Sequence, residues 1–85
     1  MDRIKLPEPF YESSVSIERA IYKRRSIRRY KSSPLDIREL SQLLWSAQGI
    51  TDVRGYRAAP SAGALYPLKT HVLSGDVKGL SSGIY

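Results

Sequence analysis

Between Asp36 and Gly49 the sequence carries an apolar stripe that no other segment of the chain is equipped to cover. Ile37, Leu40, Leu43, Leu44 and Ala47 fall within about 120° of a helical wheel, and Asp36 followed three residues later by Glu39 is a capping box that opens the helix. The spacing predicts a helix from Ile37 to about Gln48, with Gly49 as a left-handed cap. A helix of this kind needs an opposing layer. The remaining candidates are few in a chain of 85 residues, and at this size a single core rarely contributes more than about 3–5 kcal/mol without further staples. The usual staples are excluded: cysteine is absent, and His71 is the sole histidine, so neither a disulfide nor a tetrahedral structural zinc can form, and no metal site is expected.

Elsewhere the patterning is thinner. Residues 1–15, with Pro7 and Pro9 in a Leu-Pro-Glu-Pro-Phe run, show neither helical nor strand period and read as an extended arm. Residues 16–85 read as the domain proper. Ser16 precedes Ile17, Ala20 and Ile21, which predicts a short capped helix from Ile17 to about Arg24. Residues 49–67 show no sustained period, and an unstructured stretch of that length is usually functional or disordered. Leu68 to Ser74 alternates as a strand ended by Gly75-Asp76, with His71 inside it, and a second strand begins near Gly83-Ile84-Tyr85, as in half of a hairpin. The fold class is therefore α+β, and two helices with one or two strands make an incomplete layer. Hydrophobic content of 41% with 26% charged residues argues against wholesale disorder. No apolar run reaches the ~18–20 residues of a membrane span, and no signal-peptide core is present. The expectation is a soluble, cytoplasmic protein that finds stability in oligomerisation, a cofactor or more polypeptide.

Two segments can carry chemistry. In Lys23 to Lys31 six of nine residues are basic, within a chain of net charge +6. A nucleic-acid contact is weighed down by the shortness of the run, by aromatics that are not interleaved along a longer basic face, and by the lack of any nucleic-acid motif. A solvated helix end is the bland alternative. Arg24, however, lies seven residues after Ile17, on the apolar stripe, and a guanidinium on a buried face needs an anion, which can be a carboxylate or a phosphate with Ser26 as a further donor. The second segment is Arg57-Ala58-Ala59-Pro60-Ser61-Ala62-Gly63-Ala64-Leu65-Tyr66-Pro67. Its small residues suit close approach of backbone to a flat ligand, and Ser61 supplies a hydroxyl; an ordinary surface loop is the alternative. Ser61 is no protease-type nucleophile, because Gly-x-Ser-x-Gly is unmatched and the lone His71 sits inside a strand. Trp45, about 80° from Ile37 on the wheel, is a rim packing residue or part of a subunit interface.

Arg24-Arg25-Ser26-Ile27-Arg28-Arg29-Tyr30 with Pro34-Leu35, the segment Glu39 to Ile50, and Pro60-Ser61-Ala62-Gly63-Ala64-Leu65-Tyr66-Pro67 together resemble the nitroreductase-like flavoproteins in order and spacing. The octapeptide 60–67, with Leu6-Pro7-Glu8-Pro9 and Gly83-Ile84-Tyr85, is most similar to the SagB-type dehydrogenase branch, which includes oxidases converting azolines to azoles in modified peptides. The resemblance implies a mixed α+β fold of intertwined homodimers, of which this chain is the N-terminal portion. It further implies FMN bound at the subunit interface and hydride transfer through flavin N5. Carried onto matching positions, Arg24, Arg25 and Ser26 hold the phosphate and ribityl chain, Arg28 approaches the polar edge of the ring, and Pro60, Ser61, Ala62 and Gly63 lie against the ring of the FMN held mainly by the other subunit. Ala64 departs from the pattern, since many nitroreductases place Asn there. Family domains are roughly twice this length or more, so the homodimer partner or a companion chain supplies the C-terminal half. Nothing in the chain qualifies as a general base. A small-molecule or modified-peptide substrate follows from the family. A redox-silent fragment and a small basic polyanion-binding module are the rival expectations.

Overall fold

The computed structural model describes residues 3–85. Along the chain run α1 (Ile17–Lys23), β1 (Leu35–Asp36), α2 (Ile37–Gln48), a 3-10 turn (Ala62–Ala64), β2 (Leu73–Ser74), β3 (Val77–Lys78) and β4 (Gly83–Ile84). The helix α2 has the expected bounds, and its capping box is reciprocal: Glu39 N donates to Asp36 Oδ1 at 2.9 Å, and Asp36 N donates to Glu39 Oε1 at 3.2 Å. Gly49 is not left-handed. At φ −64° and ψ 147° it is extended, donates to Trp45 O and accepts from Ala58 N, so the chain leaves the helix directly into an Ile50–Arg57 bridge. Glycine is needed there for space, because a Cβ would collide with the indole of Trp45.

The sheet is made of two separate pairs. β1 and β3 run parallel in the register Leu35↔Val77 and Asp36↔Lys78, with α2 in the crossover between them. β2 and β4 are antiparallel, Leu73↔Ile84 and Ser74↔Gly83, which is the expected hairpin, and reciprocal bonds between Val72 and Tyr85 lengthen it by one pair. The strand expected over Leu68 to Ser74 is thus reduced to its last two residues. Residues 68–71 belong to no strand and make no ladder, so His71 lies outside the strand. Between β3 and Leu80 the chain turns at Gly79 (φ 90°), where a Cβ would press on Ile37 at 3.2 Å. The 49–67 stretch is also more ordered than its pattern suggests. Thr51 N donates to Tyr56 O and Gly55 N to Asp52 O, closing a hairpin tip.

The N-terminal segment lies on α2: Ser41 Oγ donates to Pro7 O at 2.6 Å, and Gln42 bonds both backbone groups of Phe10. Tyr11 meets Trp45 edge to face at 5.6 Å. Among the described residues only Leu40 and Leu80 are buried apolar side chains, beside buried Ser41 and Ser74. The radius of gyration is 14.9 Å, against about 12 Å for a compact domain of this length. The accessible surface of 8054 Å² exceeds by about 3,000 Å² what a compact 9.6 kDa monomer exposes. The molecule is a plate with one thin packed seam, and a groove of about 780 Å³ lined by Leu6, Leu40, Leu44, Val72, Leu80 and Ile84 runs along it. No helix among the described residues is long and apolar enough to cross a membrane.

Candidate functional site

The helix α1 is capped by Ser16, whose Oγ accepts from Arg19 N at 3.1 Å, and it stops at Lys23 with Arg24 as its C-cap. Continuation would stack Arg24 on Arg28 and Arg25 on Arg29 at i, i+4, and like charges at that spacing are unfavourable. Arg25 turns back instead, donating to Tyr22 O at 3.3 Å and Arg24 O at 2.7 Å across the negative helix end. Arg24 is not buried, contrary to its place on the apolar stripe. Every residue from Tyr11 to Ser33 is exposed, Ile17 and Ile21 included, because no other element is laid against α1. Among the described residues the side chains of Arg24, Ser26, Arg28 and Arg29 make no hydrogen bond or ion pair, and residues 24–35 contain no acid. Their donors are free for an outside anion.

The 57–66 loop is the opposite case. Ser61 is extended (φ −145°, ψ 135°), Gly63, Ala64 and Tyr66 take positive φ of 65°, 52° and 45°, and Ala64 N donates to Ser61 O at 3.0 Å. A left-handed conformation costs a non-glycine residue about 1–2 kcal/mol, and here two occur within three positions. Tyr66 ties the loop together. Its hydroxyl accepts from Arg57 N at 3.1 Å, its own N–H donates to Ser61 Oγ at 2.9 Å, and the Arg57 guanidinium lies 5.1 Å from its ring centroid. Pro60, Ala62 and Gly63 stay exposed on the outside of this closed loop, and Ser61 is half-buried. Arg57 and Tyr66 had no distinct role in the sequence reading. The one signal for them was their place at the two ends of a small-residue run.

The two segments are not joined: no hydrogen bond or ion pair among the described residues links 24–28 to 60–63. Outside both segments, Trp45 Nε1 and Ser74 Oγ are buried without a hydrogen-bond partner. No group of acidic and histidine side chains among the described residues is placed to hold a metal.

The family model for nitroreductases matches residues 21–82, a span that contains both segments and the buried Leu40, Ser41, Ser74 and Leu80. The chain belongs to the nitroreductase family. A protein of Methanocaldococcus jannaschii named "Putative nitroreductase" is 46% identical over 84 residues, which is 99% of this chain and 42% of that protein. The chain therefore spans less than half the length of this nitroreductase relative. No solved structure gives a significant match. Family membership agrees with the α+β class of the fold.

Proposed function

We propose that this chain is the N-terminal portion of an FMN-dependent oxidoreductase of the SagB-type branch of the nitroreductase family, active as an intertwined homodimer or with a companion chain that supplies the rest of the domain. The observation that carries the reading is the basic segment, whose Arg24, Ser26 and Arg28 donors have no acceptor within the described chain. Such a donor set suits a terminal phosphate, and no Gly-x-Gly-x-x-Gly fingerprint is present for a dinucleotide. FMN, when bound, supplies hydride exchange at N5. The residues of this chain bind and orient it. Arg24, Arg25 and Ser26 take the phosphate and ribityl chain, Arg28 the polar edge of the ring, and Pro60, Ser61, Ala62 and Gly63 form a flat, small-residue wall against the ring held by the second subunit. The excess accessible surface and the open groove supply the reason for a partner: they leave Leu43 exposed and the groove beside Leu40 and Leu44 unfilled. Substrates of the small-molecule or modified-peptide class follow from the branch.

The visible absorption spectrum of the purified chain, alone and after FMN addition, tests the reading together with sedimentation. Flavin bands that release FMN, in a species larger than one chain, are the expected result. Tight FAD binding that excludes FMN would sink the cofactor assignment. Polyanion binding that collapses with salt in a colourless protein would instead make this a basic binding module. A monomer with a cooperative thermal transition independent of concentration and FMN would overturn the partner.

A further inference from the structure

From the closed geometry of the 57–66 loop we infer that Tyr66 is a positioning residue: it latches the loop through Arg57 and Ser61, so that the 60–63 wall is preformed and the Ser61 hydroxyl meets its ligand as a hydrogen-bond donor. Three contacts converge on this one side chain and its amide. The phenolic oxygen accepts from Arg57 N, the Arg57 guanidinium lies over the ring, and Tyr66 N occupies the hydroxyl oxygen of Ser61. The residue achieves this only by adopting φ 45°, a conformation that an aromatic side chain rarely takes. Strain of that kind persists where the surrounding contacts over-determine it, and it is concentrated at sites that must be preorganised.

The consequence for Ser61 is chemical. Its oxygen already receives one hydrogen bond, from Tyr66, while its own proton is given to no group among the described residues. Tyr66 N–H fills one of its two lone pairs, which leaves the O–H and one lone pair uncommitted; because accepting a bond polarises the O–H, the ligand atom favoured opposite it is an acceptor, such as a carbonyl oxygen or an unprotonated ring nitrogen. Preforming the wall also lowers the ordering cost at the moment of binding, which is how a latch away from the ligand changes affinity. The latch itself stands on the loop's own geometry. Only the donor role toward a ligand rests on the FMN reading above.

Amide hydrogen exchange on the full chain, with and without FMN, separates the two. In Tyr66→Phe the Arg57 amide loses its acceptor and is expected to exchange about tenfold faster, while in Ser61→Ala the same is expected of the Tyr66 amide. The Leu40 and Leu80 amides serve as the control and keep their wild-type rates if the fold is intact. In the FMN arm, Ser61→Ala is expected to weaken binding about tenfold, with Ser61→Thr restoring it to within about twofold; Tyr66→Phe is expected to shift the bound flavin's visible band at unchanged thermal midpoint. Unchanged Arg57 exchange in Tyr66→Phe would overturn the latch. Wild-type affinity in Ser61→Ala would overturn the donor role. Failure of the unmodified chain to bind FMN would refute the cofactor reading, and the exchange rates would still decide the latch.

Discussion

Residues 34–85 and residues 16–31 obey the same local rules and end in different states. Both open on a side-chain N-cap, and both carry an apolar stripe at helical spacing. In the first region α2 buries Leu40 and Ser41, β1 and β3 pair across it, and the 57–66 loop closes on its own tyrosine. In the second, α1 buries nothing and is followed by a basic run with no acceptor of its own. The difference lies in what is available to pack, since amphipathic helices draw most of their stability from the surface they cover. The 34–85 region carries partners of its own, and the arm from Pro7 to Tyr11 adds to them. The 16–31 region has no such surface among the described residues and stays exposed throughout.

The largest expected effect tests that asymmetry directly. Leu40→Ala should cost about 2 kcal/mol, the low end for a buried leucine because the groove side of its site is open. Ile21→Ala, at 69% exposure, should stay within about 0.5 kcal/mol. Denaturant unfolding of both variants measures the two values, and equal losses would show that α1 is covered in solution, erasing the contrast. Next in size is the ligand. Arg24→Ala should weaken FMN binding about tenfold and Arg29→Ala less than about twofold. Both side chains are exposed, so the expected difference comes from the place of Arg24 at the end of α1 beside Arg25 and Ser26, and not from burial. Equal dissociation constants for the two variants in a fluorescence titration would break it.

The sequence made α2 legible to the residue, because its capping box and 3.6-residue stripe are local signals that tertiary structure had only to accept. The β2–β4 hairpin was legible in its pairing and not in its length, because alternation over Leu68 to Ser74 marks a strand without saying how much of it finds a partner. The β1–β3 pair was not: each strand is two residues long, the partners are some forty positions apart, and neither leaves a period to read. Gly49 was misread as a left-handed cap because a glycine after a helix usually serves conformation, whereas here it makes room for Trp45. At the site, the small-residue loop and the basic run were visible in composition. The tie that shapes the loop was not, since it depends on Ala64 and Tyr66 taking backbone conformations that their side chains disfavour. Arg24 was misplaced because helical spacing says which face a residue shares and nothing about whether that face is covered.

The caps give a smaller test of the same contrast. Asp36 both accepts from Glu39 N and has its own N–H satisfied by the Glu39 carboxylate, at the start of a helix that is packed. Asp36→Ala should cost about 1 kcal/mol. Ser16 makes one bond at the start of a seven-residue helix that rests on nothing. Ser16→Ala should then be silent in global unfolding and appear only as lost helicity in residues 17–23, by chemical shift. A global loss from Ser16→Ala comparable with that of Asp36→Ala would mean that α1 is part of the cooperative unit.

The smallest effect expected is at the hairpin tip, where Asp52 takes both the backbone N–H and the guanidinium of Arg54 at 2.8 Å. That side-chain bond, with the backbone bond second, holds the Asp52 carboxyl below its ordinary value of 3.8. The folded form thus binds its proton less readily than the unfolded one. The stabilisation is accordingly complete above the unfolded value, near pH 4, and fades as the pH falls through the lower folded value. The pair is exposed, so solvent and salt screen it and the change in global stability should be barely measurable. The local readout is sharper, because protonation removes the acceptor that orders Arg54 over the Tyr56 ring, 4.7 Å away. Tyr56 ring shifts should move toward those of Asp52→Asn only as the pH falls below the ordinary carboxyl range, while the Tyr66 ring, tied through neutral groups and an arginine, stays fixed. Movement of both rings together would mean that the tip and the latched loop unfold as one, and that the order of the 34–85 region is less local than its hydrogen bonds imply.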